Sequence, residues 1–125
     1  MGYQGLLKDE GLDIIAWETF GYYQGDYAAV LKKDMSYGFV VIGYGSCTGC
    51  DSLQALEEYN YDTGEYTYDS VGIKRLTDSI IRDIFWGTAD EVRAKITNQY
   101  EDDNNWYRSD EGYKESVDKL CEVLK

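Results

Sequence analysis

The chain has 125 residues, 12 Lys+Arg against 24 Asp+Glu, a formal net charge of −12, and no histidine or proline. This length fits one domain with a real core, so residues 1–125 are expected to fold as a single unit. The charge argues against binding DNA, RNA or an anionic membrane, and the missing histidine removes Ser-His-Asp and Cys-His catalysis and every histidine-ligated metal.

Taken in chain order, Tyr3–Leu7 reads as a short helix. Ile14–Tyr23 is rich in aromatic and β-branched residues and reads as a strand. Gly25-Asp26 gives a two-residue hairpin signal before a second strand, Tyr27–Lys33. Asp34–Ser36 makes the next turn, and Tyr37–Tyr44 is the most apolar and therefore central strand. Asp51 or Ser52 is placed to cap a short helix, Leu53–Tyr59, followed by a loop rich in tyrosine and acid. Asp69 or Ser70 then caps a helix running to Trp86, with Leu76, Ile80 and Ile84 on one stripe and Gly87 as its stop. Thr88 with Glu91 forms a capping box for a helix carrying Val92, Ile96 and Tyr100. Glu101–Asn105 is a polar break. From about Asp110 a last helix presents Tyr113, Val117, Leu120, Cys121 and Leu124 on one face. Strands first and helices after predict an α+β fold: a three-stranded antiparallel meander with three to four helices packed on one of its faces.

The longest apolar runs, Tyr27–Leu31 and Phe39–Ile42, are far short of the ~20 residues of a membrane span. The first residues lack the basic start and apolar stretch of a signal peptide, and three cysteines suit a reducing compartment. Together these predict a cytoplasmic protein.

The most specific short feature is Gly43-Tyr44-Gly45-Ser46-Cys47-Thr48-Gly49-Cys50-Asp51, between a strand and a helix. It admits four readings. Cys47 and Cys50 have the spacing of two thiolates on one Zn²⁺, with Asp51, Cys121 or water completing the site. They could instead form a redox dithiol at a helix N-terminus, although the βαβ framework and cis-proline of thioredoxin-like sites are missing. The glycine spacing superficially resembles a dinucleotide fingerprint, but no parallel βαβ unit follows and Asp51 would repel a pyrophosphate. Finally, the cysteines could be small packing residues in a glycine turn. Packing is the favoured reading of Cys121, on the apolar stripe of the last helix.

Between Asp34 and Ile73 there is no Lys or Arg, whereas Asp34, Asp51, Glu57, Glu58, Asp62, Glu65 and Asp69 are all acidic. Tyr59, Tyr61, Tyr66 and Tyr68 are interleaved with them. A second cluster sets Glu101, Asp102 and Asp103 beside Trp106 and Tyr107. Acids that steer association and tyrosines that give rigid contact area suit a basic protein surface, as much as they suit a merely solvated face. Glu57, Glu58, Tyr59, Asp62, Glu65 and Tyr66 are the candidate contacts. No motif supplies a nucleophile with its base, and no basic residue in the acidic stretch could hold a phosphate. The chain therefore reads as a binding protein and not as an enzyme.

From Trp17 through Leu56, about a third of the chain, the sequence resembles short proteins of bacteriophages and prophages. These carry a hairpin with Tyr-Gln-Gly-Asp-Tyr at its turn (here Tyr23–Tyr27), then a strand, then Gly-Ser-Cys-x-Gly-Cys-Asp (here Gly45–Asp51). With its small size and acidity, the chain is similar to phage-encoded anti-CRISPR proteins that inhibit the type II nuclease Cas9. That resemblance implies an inhibitor in the bacterial host cell; a monomer is expected. It would bind a basic, nucleic-acid-binding surface of Cas9 and block target DNA loading, with a structural zinc at the cysteines and no direct contact to nucleic acid or membrane. A dithiol redox protein and a phage structural or assembly protein remain the alternatives.

Overall fold

Two neighbouring stretches, Gly25–Lys33 and Ser36–Tyr44, carry apolar residues at successive positions and not only at alternate ones. As strands they have no polar face and must be covered on both sides. The structure, a computed structural model, describes residues 2–21, 23–45, 51–101 and 112–125. In chain order its elements are α1 (Tyr3–Asp9), β1 (Asp13–Gly21), β2 (Gly25–Lys33), β3 (Ser36–Tyr44), a 3₁₀ turn (Gln54–Leu56), β4 (Glu57–Asn60), β5 (Glu65–Tyr68), α2 (Ser70–Arg82), β6 (Phe85–Gly87), α3 (Ala89–Tyr100) and α4 (Tyr113–Glu122).

The fold is α+β. Strands β1, β2 and β3 form the expected antiparallel meander, and β6 adds a fourth antiparallel strand beside β3. The register sets Trp17 opposite Ala29 and Ala29 opposite Val40. A bulge between Ile14 and Ala16 shifts the alternation of β1. Ile14 consequently faces one core while Ile15 and Ala16 face the other.

The helices do not share one face, as the strands-then-helices order suggested. Leu6 and Leu7 of α1 and Ile80 of α2 pack with Ala29, Leu31, Val40 and Ile42. Val92, Ile96 and Tyr100 of α3 and Leu120 of α4 pack with Ala28, Val30 and Phe39 on the other side. The reason lies in β2, where Ala28, Ala29, Val30 and Leu31 are all wholly buried. A sheet covered by one layer would leave half of them in water, at ~1.5–3 kcal/mol for each large side chain.

Four local expectations also change. Gly25 and Asp26 begin β2, and the connection is the three-residue span 22–24 between paired Gly21 and Gly25. A Cβ at Gly25 would lie 1.9 Å from the Phe20 carbonyl oxygen, so only glycine closes this turn. The helix expected over Leu53–Tyr59 is a single 3₁₀ turn, after which the chain extends into β4. The acidic, tyrosine-rich loop is in fact the hairpin β4–β5. Finally, α2 stops at Arg82 instead of Trp86. Ile84 and Trp86 face the first core and Phe85 the second, which is the two-residue alternation of a strand.

The caps follow the sequence. Asp69 accepts from the Val71 N–H at 3.2 Å. The Glu91 N–H donates to Thr88 Oγ1 at 3.2 Å and the Thr88 N–H to Glu91 Oε1 at 3.1 Å, closing the capping box. The last helix begins at Tyr113, and the polar break after Glu101 lies mostly outside the described residues.

Strand β6 stays in register partly through a missing side chain. A Cβ on Gly38 would lie 2.9 Å from Ile84 Cγ2 and 3.0 Å from the Trp86 ring, which pairs across from it. Gly38→Val should therefore cost ~1–3 kcal/mol through overpacking, lowering Tm and exposing the β6 amides to hydrogen exchange. An unchanged Tm with full β6 protection would refute this account of the pairing.

Candidate functional site

Two features stand where the sequence placed function. The first is a clasp around Asp51, which is only 7% exposed. Its Oδ1 accepts from the Tyr3 hydroxyl at 2.8 Å, the Leu53 N–H at 2.9 Å and the Gln54 N–H at 3.1 Å. Its Oδ2 accepts from the Gly45 N–H at 3.0 Å. The Tyr3 hydroxyl in turn accepts from the Leu53 N–H at 3.1 Å, and Gln54 Nε2 donates to the Gly45 carbonyl at 2.7 Å. Helix α1, the end of β3 and the 3₁₀ turn are thus joined at one carboxylate. Burial alone would raise its pKa, but the hydrogen bonds from Gly45, Tyr3, Gln54 and Leu53 outweigh it and hold the value below the ordinary 3.8. Burial, and then the hydrogen bond to Asp51, push the Tyr3 hydroxyl up to about 12.

Asp51 does cap the turn that follows it, as its position predicted. As a metal ligand it is already committed to four donors. Its partners Tyr3 and Leu53 belong to the first core, whereas Cys121 is half-buried against the second. Burial pushes the Cys121 thiol pKa up, away from the thiolate that binds metal. The sheet therefore stands between two of the four ligands named from the sequence. Cys47 and Cys50 lie outside the described residues, and among the described residues no three His, Cys, Asp or Glu side chains converge on a metal position.

The second feature is the hairpin β4–β5, a two-stranded sheet separate from the main one. Asn60 Oδ1 accepts from the Asp62 N–H at 2.9 Å and the Thr63 N–H at 3.3 Å, and Gly64 closes the turn at φ 73°. This side-chain turn ending in a left-handed glycine is a hairpin signal that Asn60-Tyr61-Asp62-Thr63-Gly64 carried all along. Cross-strand pairing puts Tyr59 opposite Tyr66 and Glu57 opposite Tyr68 on one face; Glu58 opposite Thr67 and Asn60 opposite Glu65 make the other.

The six candidate contacts thus fall on two faces. Tyr59 and Tyr66 share one with Glu57, while Glu58 and Glu65 occupy the reverse and Asp62 sits in the turn. The Tyr59 ring lies 4.8 Å from those of both Tyr61 and Tyr66. Tyr59, Tyr61 and Tyr66 are 43%, 89% and 66% exposed. Among the described residues no Lys or Arg pairs with Glu57, Glu58, Asp62 or Glu65. The second acidic cluster falls outside the described residues beyond Glu101. Tyr3, Tyr61 and Tyr68 were not among the residues singled out as site candidates. The Tyr3 partner lies 48 positions away, a contact with no local signature.

No helix of the described residues is long and apolar enough to cross a membrane. No family model, curated protein or solved structure matches the chain.

The clasp has a pH signature of known sign. The lowered pKa of Asp51 means that its contribution is complete above 3.8 and is lost as pH falls through the folded value. The raised pKa of Tyr3 means that its contribution is complete below 10.0 and is lost as pH rises from there toward about 12. Tyr3→Phe should cost ~1.5–3 kcal/mol at neutral pH, as for a hydrogen bond to a charged group. In urea unfolding the deficit should stay level through neutral pH and shrink above pH 10.0. A deficit that ignores pH would show that the hydroxyl is not coupled as described.

Proposed function

We propose that the protein is a non-enzymatic binding protein that docks through β4–β5 onto a basic, nucleic-acid-binding protein surface. The observation that carries this reading is the hairpin itself. It is exposed along nearly its whole length and free of Lys and Arg, and it bears a tyrosine cluster on one face and carboxylates on the other. The acids raise the rate of encounter with a basic surface. The tyrosines contribute contact area at low cost in side-chain entropy. A protein seated there excludes nucleic acid because both need the same cations. The resemblance of Tyr23–Tyr27 and Gly45–Asp51 to short phage proteins, taken with the small size and acidity that anti-CRISPR proteins share, supports Cas9 as the partner and blocked DNA loading as the consequence.

Binding of the double variant Glu57→Lys/Glu58→Lys to Cas9, measured across a salt series, tests this. The on-rate should fall about tenfold at low salt and lose most of its salt dependence. Tyr59→Ala/Tyr66→Ala should act mainly by raising the off-rate. Unchanged affinity in both variants at every salt concentration would remove the hairpin from the interface.

A structural zinc on Cys47 and Cys50 belongs to the same proposal. It is supported by the thiol spacing and by the clasp, which holds Gly45 and Asp51 together on either side of the pair. Elemental analysis should find stoichiometric zinc in the native protein and none in Cys47→Ser, whose Tm should drop. Native protein that is free of zinc and keeps that Tm would dismiss the metal.

A further inference from the structure

At the root of the hairpin is a cleft of about 440 Å³, lined by Tyr3, Trp17, Tyr27, Asp51, Gln54 and Tyr68 among others. Its rings come from four separate elements. The Trp17 and Tyr27 centroids are 5.0 Å apart and those of Tyr3 and Tyr27 5.8 Å. Behind them Tyr44 stacks on Tyr27 at 4.3 Å, which fixes the Tyr27 ring from the rear. Tyr68 is the last residue of β5 and shares a hairpin face with Tyr59 and Tyr66. The aromatic face of the hairpin therefore runs into the cleft without a break.

We infer that this cleft takes one arginine side chain presented by a basic partner. The charge of the lining selects a cation. Among the described residues Asp51 is its one acid, and no lysine or arginine lines it. The four described groups that hydrogen-bond to Asp51 are neutral, so among the described residues its negative charge meets no countercharge there. An anion such as a phosphate would meet repulsion and no donor of opposite charge. A purely apolar group would leave the carboxylate's charge without a counterpart. Among cations, a guanidinium is planar, weakly hydrated and stacks on aromatic faces, whereas an ammonium is compact and strongly hydrated. The identity of the partner rests on the docking reading above; the preference of the cleft for a guanidinium does not.

The test uses the full chain with N-acetylarginine amide as the probe and N-acetylcitrulline amide, its neutral isostere, as the control. The Trp17 indole N–H resonance reports occupancy. The arginine amide should shift it saturably in the millimolar range, and citrulline amide should bind at least tenfold more weakly. Trp17→Leu, which lacks the reporter and is followed by titration calorimetry instead, should abolish saturable binding. Tyr68→Leu, at the end of the short edge hairpin and not within the four-stranded sheet, should weaken it while keeping the native Tm, which covers the case in which Trp17→Leu does not fold. Absence of saturation, or equal binding of the arginine and citrulline amides, overturns the inference and leaves the hairpin's own test untouched.

Discussion

Ala28, Ala29, Val30 and Leu31 form a run in β2 with no exposed surface on either side. Most other features of the architecture follow from this. Both faces of the sheet must be covered, so the chain supplies helices at both ends of its sequence. α1 and α2 close over Ala29 and Leu31, and α3 and α4 over Ala28 and Val30. β3 obeys the same rule, with Val40 and Ile42 turned one way and Phe39 the other. The hairpin β4–β5 stands apart as a sheet of its own.

Where that hairpin emerges is decided by Asp51. A carboxylate this buried would cost several kcal/mol without partners. Four donors from three parts of the chain offset that cost, and in doing so they fix α1, the end of β3 and the 3₁₀ turn in one arrangement. The hairpin starts one residue after that turn. Its other strand leads through the Asp69 N-cap directly into α2, where the Gly72 backbone lies so close to Leu56 that a Cβ would approach its Cδ2 to 2.5 Å. Both ends of the hairpin are therefore anchored on rigid elements.

Local chemistry was readable in the sequence and long-range chemistry was not. The meander, the Thr88/Glu91 box, the Asp69 cap and the Val92, Ile96, Tyr100 stripe are encoded within a few residues of themselves, and they stand as read. Phe85-Trp86 continued a helical period on paper because Ile80 and Ile84 are four apart. What turned these residues into a strand was the free edge of β3 and the gap over Gly38, both more than forty positions away. The placement of helices on two faces was encoded in β2, in its unbroken apolar run, but the order of elements along the chain pointed elsewhere. At the candidate site the acids and tyrosines were legible as types. Their division between two faces was not, because it depends on the Tyr59–Tyr66 register.

That division bears on how an exposed hairpin can persist. A two-stranded sheet in water is marginal on its own, and its open edges invite pairing with other chains. Glu58 and Glu65 place charge on one face, which disfavours such pairing. The Tyr59, Tyr61 and Tyr66 rings pack on one another beside it, stiffening the hairpin before any partner arrives. Rings already held in place lose little freedom on docking. The same packing that lets the hairpin stand in solvent thus lowers the entropic cost of covering it. A merely solvated face would need the carboxylates alone; the exposed tyrosines, packed edge-on and tilted against one another, are the part that solubility leaves unexplained and the proposed docking would use.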